Sequence, residues 1–180
     1  MRGDMMKTYL ITGGAGFIGS NFIHYMLRKY ENITIVNLDK LTYAGNLENL
    51  KFYENDKRLL FVQGDIADRQ VVEGIFNKYD IDYVVNFAAE SHVDRSILDP
   101  EIFIKTNILG TTNLLNVSKK YWEINDGFKE GKKFIQVSTD EVYGSLGETG
   151  YFTEVTPLDP HSPYSSSKAG ADLVVKAYYD

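Results

Sequence analysis

Two pairs of side chains in this chain have the types and spacing that acid/base chemistry needs. Tyr164 and Lys168 stand four residues apart in Tyr-Ser-Ser-Ser-Lys, a spacing that puts both on one face of a helix. A phenol has a reference pKa of about 10 and a neighbouring ammonium favours the phenolate, so the pair predicts a base for a hydroxyl group near neutral pH. Asp140 and Glu141 adjoin in Ser138-Thr139-Asp140-Glu141-Val142-Tyr143-Gly144. Neighbouring carboxyls oppose each other's ionisation, and unequal burial separates them further, leaving one protonated donor and one ionised acceptor. Neither pair is specific by itself. Tyr-x-x-x-Lys arises on ordinary helix faces in a chain with 13 tyrosines, and Asp-Glu also suits a solvated turn with Asp140 as a cap.

A third feature gives these pairs a setting. Ile11-Thr12-Gly13-Gly14-Ala15-Gly16-Phe17-Ile18-Gly19 follows an apolar run and opens a segment of helical period. Gly13 and Gly16 let the turn close and its backbone N–H groups approach a pyrophosphate, while Gly19 permits close helix–strand packing. Such a turn alone would only join a strand to a helix. Asp39, at the end of the next strand and twenty residues after Gly19, adds a carboxylate that can accept from the ribose hydroxyls of a dinucleotide. The same charge repels a 2′-phosphate and favours NAD over NADP, a preference that the adjacent Lys40 weakens. Asp65-Ile66 and Ala88-Ala89-Glu90-Ser91-His92 also follow strands, where open α/β sheets place ligands. Asp65 equally suits a turn or cap, and His92, without an acid partner in sequence, reads as a structural hydrogen-bonding residue.

The elements that must hold these groups alternate regularly. Apolar runs at Lys7–Thr12, Ile33–Leu38, Leu59–Gln63, Tyr83–Phe87 and Lys133–Ser138 predict strands. Helical period predicts helices at Gly16–Tyr30, Asp68–Tyr79, Asp99–Ile124 and Ser162–Tyr179. Strands this apolar, separated by helices, indicate an α/β fold: a doubly wound, Rossmann-type parallel sheet covered on both faces. The glycines and prolines between Gly144 and Pro163 predict a long loop.

Composition narrows the partners. A net charge of -6 with no run of Lys or Arg argues against nucleic acid and against an anionic membrane surface. No apolar run is long enough to span a membrane, and Met1-Arg2-Gly3-Asp4-Met5-Met6 carries no apolar signal-peptide core, so a cytoplasmic protein is expected. With no cysteine and three scattered histidines (His24, His92, His161), no metal is expected.

The glycine turn, Ser-Thr-Asp-Glu-Val-Tyr-Gly and Tyr-Ser-Ser-Ser-Lys together resemble the extended short-chain dehydrogenase/reductases and, within them, the dTDP-glucose 4,6-dehydratases. Leu38-Asp39-Lys40-Leu41-Thr42-Tyr43-Ala44-Gly45-Asn46 and Asn86-Phe87-Ala88-Ala89-Glu90-Ser91-His92-Val93-Asp94 agree, so the resemblance covers essentially the whole chain. The glycine motif marks only a superfamily; the Thr-Asp-Glu triplet and Asp-Lys-Leu-Thr-Tyr-Ala-Gly are narrow signatures. The resemblance implies NAD as cofactor and a nucleotide-linked sugar as substrate. It implies NAD contacts from Phe17, Ile18, Asp39, Lys40, Leu41, Thr42, Asp65, Ile66, Phe87, Ala88, Ala89, Glu90, Ser91 and Thr106, besides the motif glycines, Tyr164 and Lys168. Ser91 and Thr139 would touch the sugar, and Thr139, Asp140, Glu141, Tyr164 and Lys168 would form the active site. In that scheme Tyr164 deprotonates the sugar 4-hydroxyl as hydride leaves C4 for NAD. Glu141 then removes the C5 proton, Asp140 protonates the departing 6-hydroxyl as water, and hydride returns to C6.

By the same resemblance, residues 1–180 are expected to be the NAD-binding domain with its catalytic residues, truncated before the nucleotide-sugar domain, and the full-length form a homodimer. Two other readings share parts of the pattern. A nucleotide-sugar 4-epimerase or another nucleotide-sugar dehydratase uses the same fingerprint, although an epimerase has no need of Asp140 and Glu141 to eliminate water. A non-catalytic NAD-binding or partner-binding fragment needs only the turn.

Overall fold

The computed structural model of the chain describes residues 6–180. The reading of the first six residues therefore lies, except at Met6, outside the described residues. In chain order the elements are β1 (Lys7–Thr12), α1 (Phe17–Lys29), β2 (Ile33–Asp39), β3 (Leu59–Gln63), α2 (Arg69–Lys78), β4 (Tyr83–Asn86), α3 (Val93–Leu98), α4 (Pro100–Phe103), α5 (Thr111–Trp122), the short strands β5 (Glu123–Ile124) and β6 (Gly127–Phe128), β7 (Lys133–Gln136) and α6 (Pro163–Tyr179). The main sheet runs β3-β2-β1-β4-β7 with every pair parallel. Its order reverses between β1 and β4, and a crevice opens there at the carboxyl ends of the strands.

Side-chain alternation divides the core between the two faces of this sheet. Leu10, Val36, Leu38 and Val84 pack with Val72, Ile75 and Phe76 of α2 and Leu114, Val117 and Trp122 of α5. Ile11, Ile35 and Val85 point the other way and pack with Ile23, Met26 and Leu27 of α1. Those three residues of α1 recur at the three- and four-residue spacing that lines one helical face. The doubly wound parallel sheet read from the sequence is thus the fold observed.

Local differences have local causes. The helix expected over Asp99–Ile124 starts at Pro100 and passes through a π-helical stretch, Ile104–Gly110, before α5. Its last two residues instead form β5, paired antiparallel with β6 across Asn125-Asp126, and Asp126-Gly127 is a strong hairpin signal. A 3-10 turn at Leu47–Tyr53 and helix α3 occupy segments where the sequence analysis places no element. The stretch between Gly144 and Pro163 carries no helix or strand, as expected.

Candidate active site

The end of β2 builds the glycine turn. Gly13 N–H donates to Leu38 O at 2.9 Å, Gly14 N–H to Asn37 Oδ1 at 3.1 Å and Ala15 N–H to Asp39 Oδ2 at 2.9 Å. Asp39 is buried and also accepts from Leu41 N–H at 2.8 Å, so this carboxylate organises both loops bordering the crevice. Gly13 has a φ of 67°, and a Cβ there would stand 2.6 Å from Ala88 N; a Cβ on Gly19 would collide with the Gly13 carbonyl. Only glycine lets the turn lie against both α1 and the chain leaving β4.

The start of α1 differs from those of α2 and α6. Asp68 accepts from Gln70 N and Val71 N at the head of α2, and Ser162 forms a capping box with Ser165 at the head of α6. Gly16 precedes α1 with no side-chain cap and no acid in the first turn. Leading N–H groups of α1 therefore keep their donor capacity at the end of the helix that favours negative charge.

Beside the turn, Lys40 Nζ lies 2.8 Å from Asp65 Oδ2, and Ala67 N–H donates to Asp65 Oδ1 at 2.8 Å. Burial alone would raise the Asp65 carboxyl; these two bonds and the charges of Lys40 and Lys105 outweigh it and hold the carboxyl below its ordinary range. Lys40, expected to weaken discrimination against NADP, is thus engaged by a carboxylate. The cap of α2 is Asp68, while Asp65 combines a turn role with this ion pair.

On the opposite wall, Tyr164 and Lys168 share one face of α6 and are both buried. The ammonium does not activate the phenol here. Lys168 Nζ donates to Val137 O at 2.6 Å, and burial pushes the ammonium down while the Asp172 charge opposes it. Burial also pushes the Tyr164 phenol up, Glu141, Asp140 and Tyr43 add to that, and the Thr139 hydroxyl acts the other way. The expected lowering of the phenol by Lys168 is therefore corrected: burial and two nearby carboxylates prevail.

Thr139 ends the chain leaving β7 and caps a 3-10 turn, Asp140–Tyr143, by accepting from Glu141 N–H at 3.3 Å. The cap is Thr139, not Asp140. Both carboxyls of the Asp140-Glu141 pair are exposed, so unequal burial, expected to separate them, is not what distinguishes them. They do not line the crevice, but their charges reach Tyr164, which does.

The crevice has a volume of about 320 Å³, within the range of small-molecule sites. Gly13, Gly16, Phe17, Ile18, Gly19, Asp39, Lys40, Thr42, Asp65, Ile66, Phe87, Ala88, Ala89, Glu90, Ser91, Thr106, Tyr164 and Lys168 all line it. Leu41 does not; its backbone, at a φ of 56°, is held through its N–H by Asp39. His92 is exposed and makes no side-chain hydrogen bond among the described residues, contrary to its structural reading.

Sequence reasoning missed several lining or supporting groups. Val137 and Ser138 line the crevice because they leave β7 at the carboxyl end of the sheet, whereas Thr139, which follows them, does not line it. Asn107, in the π-helical stretch, accepts from Glu90 N–H at 2.9 Å and donates to Glu90 O and Ser167 Oγ at 3.0 and 2.8 Å. It ties the chain after β4 to α6. π-Helical stretches of this kind often occur at functional sites. Arg95 stacks on the Tyr43 ring at 4.1 Å and approaches Glu90 at 4.0 Å, bringing the chain after β2 close to α3.

Comparison with known proteins places this arrangement. A dTDP-glucose 4,6-dehydratase of Xanthomonas campestris pv. campestris (strain B100) is 51% identical over 175 residues, 97% of this chain and 49% of that protein. A crystal structure of dTDP-glucose 4,6-dehydratase from Bacillus anthracis in complex with NAD aligns with a TM-score of 0.84 at 51% identity, covering 96% of this chain and 50% of that one. A Streptomyces venezuelae dTDP-glucose 4,6-dehydratase with NAD bound aligns with a TM-score of 0.85 at 44% identity, covering 96% and 51%. The chain spans about half the length of the curated relatives it matches. The model of the family described as GDP-mannose 4,6 dehydratase matches residues 10–180, and the chain belongs to that family.

Proposed function

We propose that the protein carrying this chain is an NAD-dependent lyase that converts dTDP-glucose to dTDP-4-keto-6-deoxyglucose. One observation carries the reading: an uncapped helix start with Asp39 on one wall of the crevice faces Tyr164 and Lys168 on the other, with Asp140 and Glu141 next to Tyr164. The residues fit the cofactor. The head of α1 suits the pyrophosphate, and Asp39 has lone pairs left for ribose hydroxyls after serving Ala15 and Leu41. Bound NAD supplies the reversible hydride acceptor that oxidises C4 and later returns the hydride to C6.

Tyr164 takes the 4-hydroxyl proton, and the Thr139 hydroxyl favours the phenolate against the burial that opposes it. Oxidation at C4 acidifies C5. Glu141 removes that proton, Asp140 protonates the departing 6-hydroxyl as water, and Ser91 and Thr139 hold the sugar. In this reading residues 1–180 are the NAD-binding domain and carry the catalytic residues.

The reading extends to a cytoplasmic homodimer; no described helix is long and apolar enough to cross a membrane. Light scattering on the protein would measure its self-association. An epimerase reading is disfavoured by Asp140 and Glu141, since 4-epimerisation eliminates no water.

In the protein carrying this chain, Asp140→Asn is expected to reduce NAD transiently in a single turnover while losing release of 6-deoxy product. Undiminished product formation by the variant would sink the acid assignment.

A further inference from the structure

We propose that Asp172 is a positioning residue for Lys168: its carboxylate, one helical turn away, supplies counter-charge to the buried ammonium without a direct ion pair and, through the Ser138 hydroxyl, locks α6 to the chain leaving β7. The significance of this for catalysis rests on the proposed role of Lys168, whereas the contacts themselves do not.

Asp172 follows Lys168 by four residues, one turn further along the same face of α6. Two consecutive residues beyond β7 receive these two side chains. Val137 O accepts from Lys168 Nζ at 2.6 Å, and Ser138 Oγ donates to Asp172 Oδ2. Both Val137 and Ser138 line the crevice, so the double tie forms part of its wall.

Charge gives the tie its purpose. Lys168 is 4% exposed, and its one hydrogen-bond partner among the described residues is a neutral carbonyl. An ammonium so placed is costly unless a counter-charge stands near it. Asp172 is the group whose charge acts on Lys168, opposing the burial that pushes the ammonium down. Burial in turn pushes the Asp172 carboxyl up, against the Ser138 hydroxyl and the Lys168 charge. The remaining titratable groups bordering this wall are Tyr164 on α6, Asp140 and Glu141 in the turn after β7, and Glu90 after β4. None of them bonds the Lys168 ammonium.

The test follows the lysine directly. Lysine labelled with ¹³C at Cε is titrated by NMR in the parent protein and in Asp172→Asn, with Lys168→Arg assigning the signal. Asp172→Asn keeps the size and an acceptor for Ser138 but removes the charge, so the Lys168 midpoint is expected to move to lower pH. Asp172→Glu is expected to restore it towards the parent value. An unmoved midpoint in Asp172→Asn overturns the charge role. Ser138→Ala keeps the charge and removes the tie; weaker NAD binding without loss of fold is expected, and unchanged affinity overturns the locking role. Failure of the parent protein to bind NAD would count against the cofactor reading instead, and the lysine titration would stand independently of it.

Discussion

At the scale of single residues, the pairing of Lys40 with Asp65 is expected to bear on which nicotinamide cofactor the crevice prefers. Asp39 presents negative charge at the end of β2, and the neighbouring cation that would offset it is drawn to Asp65 at 2.8 Å. Asp65→Asn should release Lys40 towards a 2′-phosphate. A partly exposed ion pair is worth up to about 1 kcal/mol, so the NADP-to-NAD affinity ratio is expected to rise by roughly fivefold. Titration of both cofactors checks this, and an unchanged ratio would mean that Lys40 does not face the ribose. The sequence made the residues legible but not their engagement. Tyr164 and Lys168 share a helix face because spacing dictates it, yet the acceptor of Lys168 is a main-chain carbonyl, Val137 O, which no side-chain pattern encodes. For the same reason the phenol was expected to be lowered, when burial and the Asp140-Glu141 charges raise it.

At the scale of elements, helix caps separate stability from binding. α2 and α6 begin on side-chain caps, whereas α1 begins on Gly16 without one. Gly16 has a φ of -76°, and a Cβ there would meet only Gly13 O at 3.3 Å and Ala44 O at 4.0 Å, so a side chain fits after a small adjustment. Gly16→Asp should cap α1 and leave stability within a few tenths of a kcal/mol of the parent or above it. It also places a carboxylate where the pyrophosphate would lie, so NAD affinity should fall by at least about tenfold, or ~1.4 kcal/mol. Calorimetric titration together with a melt checks both halves, and undiminished affinity would remove α1 from the cofactor site. Strands β1, β2 and β4 were legible because buried parallel strands leave near-continuous apolar runs, and the edge strands β3 and β7, though less buried, keep short apolar runs of their own. The π-helical stretch was not, since Ile104–Gly110 keeps a helical pattern and its departure is tied to what Asn107 bonds in distant segments. The β5–β6 hairpin carried a readable Asp126-Gly127 signal that helical period up to Trp122 overrode.

At the scale of the whole molecule, the two ends of the sheet have different tasks. The carboxyl ends of the strands hold the crevice, while the opposite end is closed by Lys132, whose side chain is 7% exposed and lies 2.8 and 3.3 Å from Asp80 and Asp82. Thr8 N–H also donates to Asp82 at 2.8 Å, so this cluster joins β1 to the chain entering β4 and, through Lys132, to the chain entering β7. Its charges lie beyond the ligand, and its contribution is to the folded state. All groups proposed to hold NAD lie within the described residues, so the cofactor should stabilise the chain by mass action. At a hundredfold excess over its dissociation constant the gain is about 2.7 kcal/mol, which for a chain of this size corresponds to a Tm increase of roughly 5–10 °C. Lys132→Ala should lower the starting Tm by leaving Asp82 with less compensation, yet preserve the NAD-dependent increase, because it touches nothing in the crevice. Gly16→Asp should do the reverse, holding the starting Tm and shrinking the increase. Melts of the three proteins across an NAD titration distinguish the two ends of the sheet. If Lys132→Ala abolished the increase while the protein remained folded, the division between a stabilising end and a binding end would be wrong, and the crevice would depend on packing transmitted along β1 and β4.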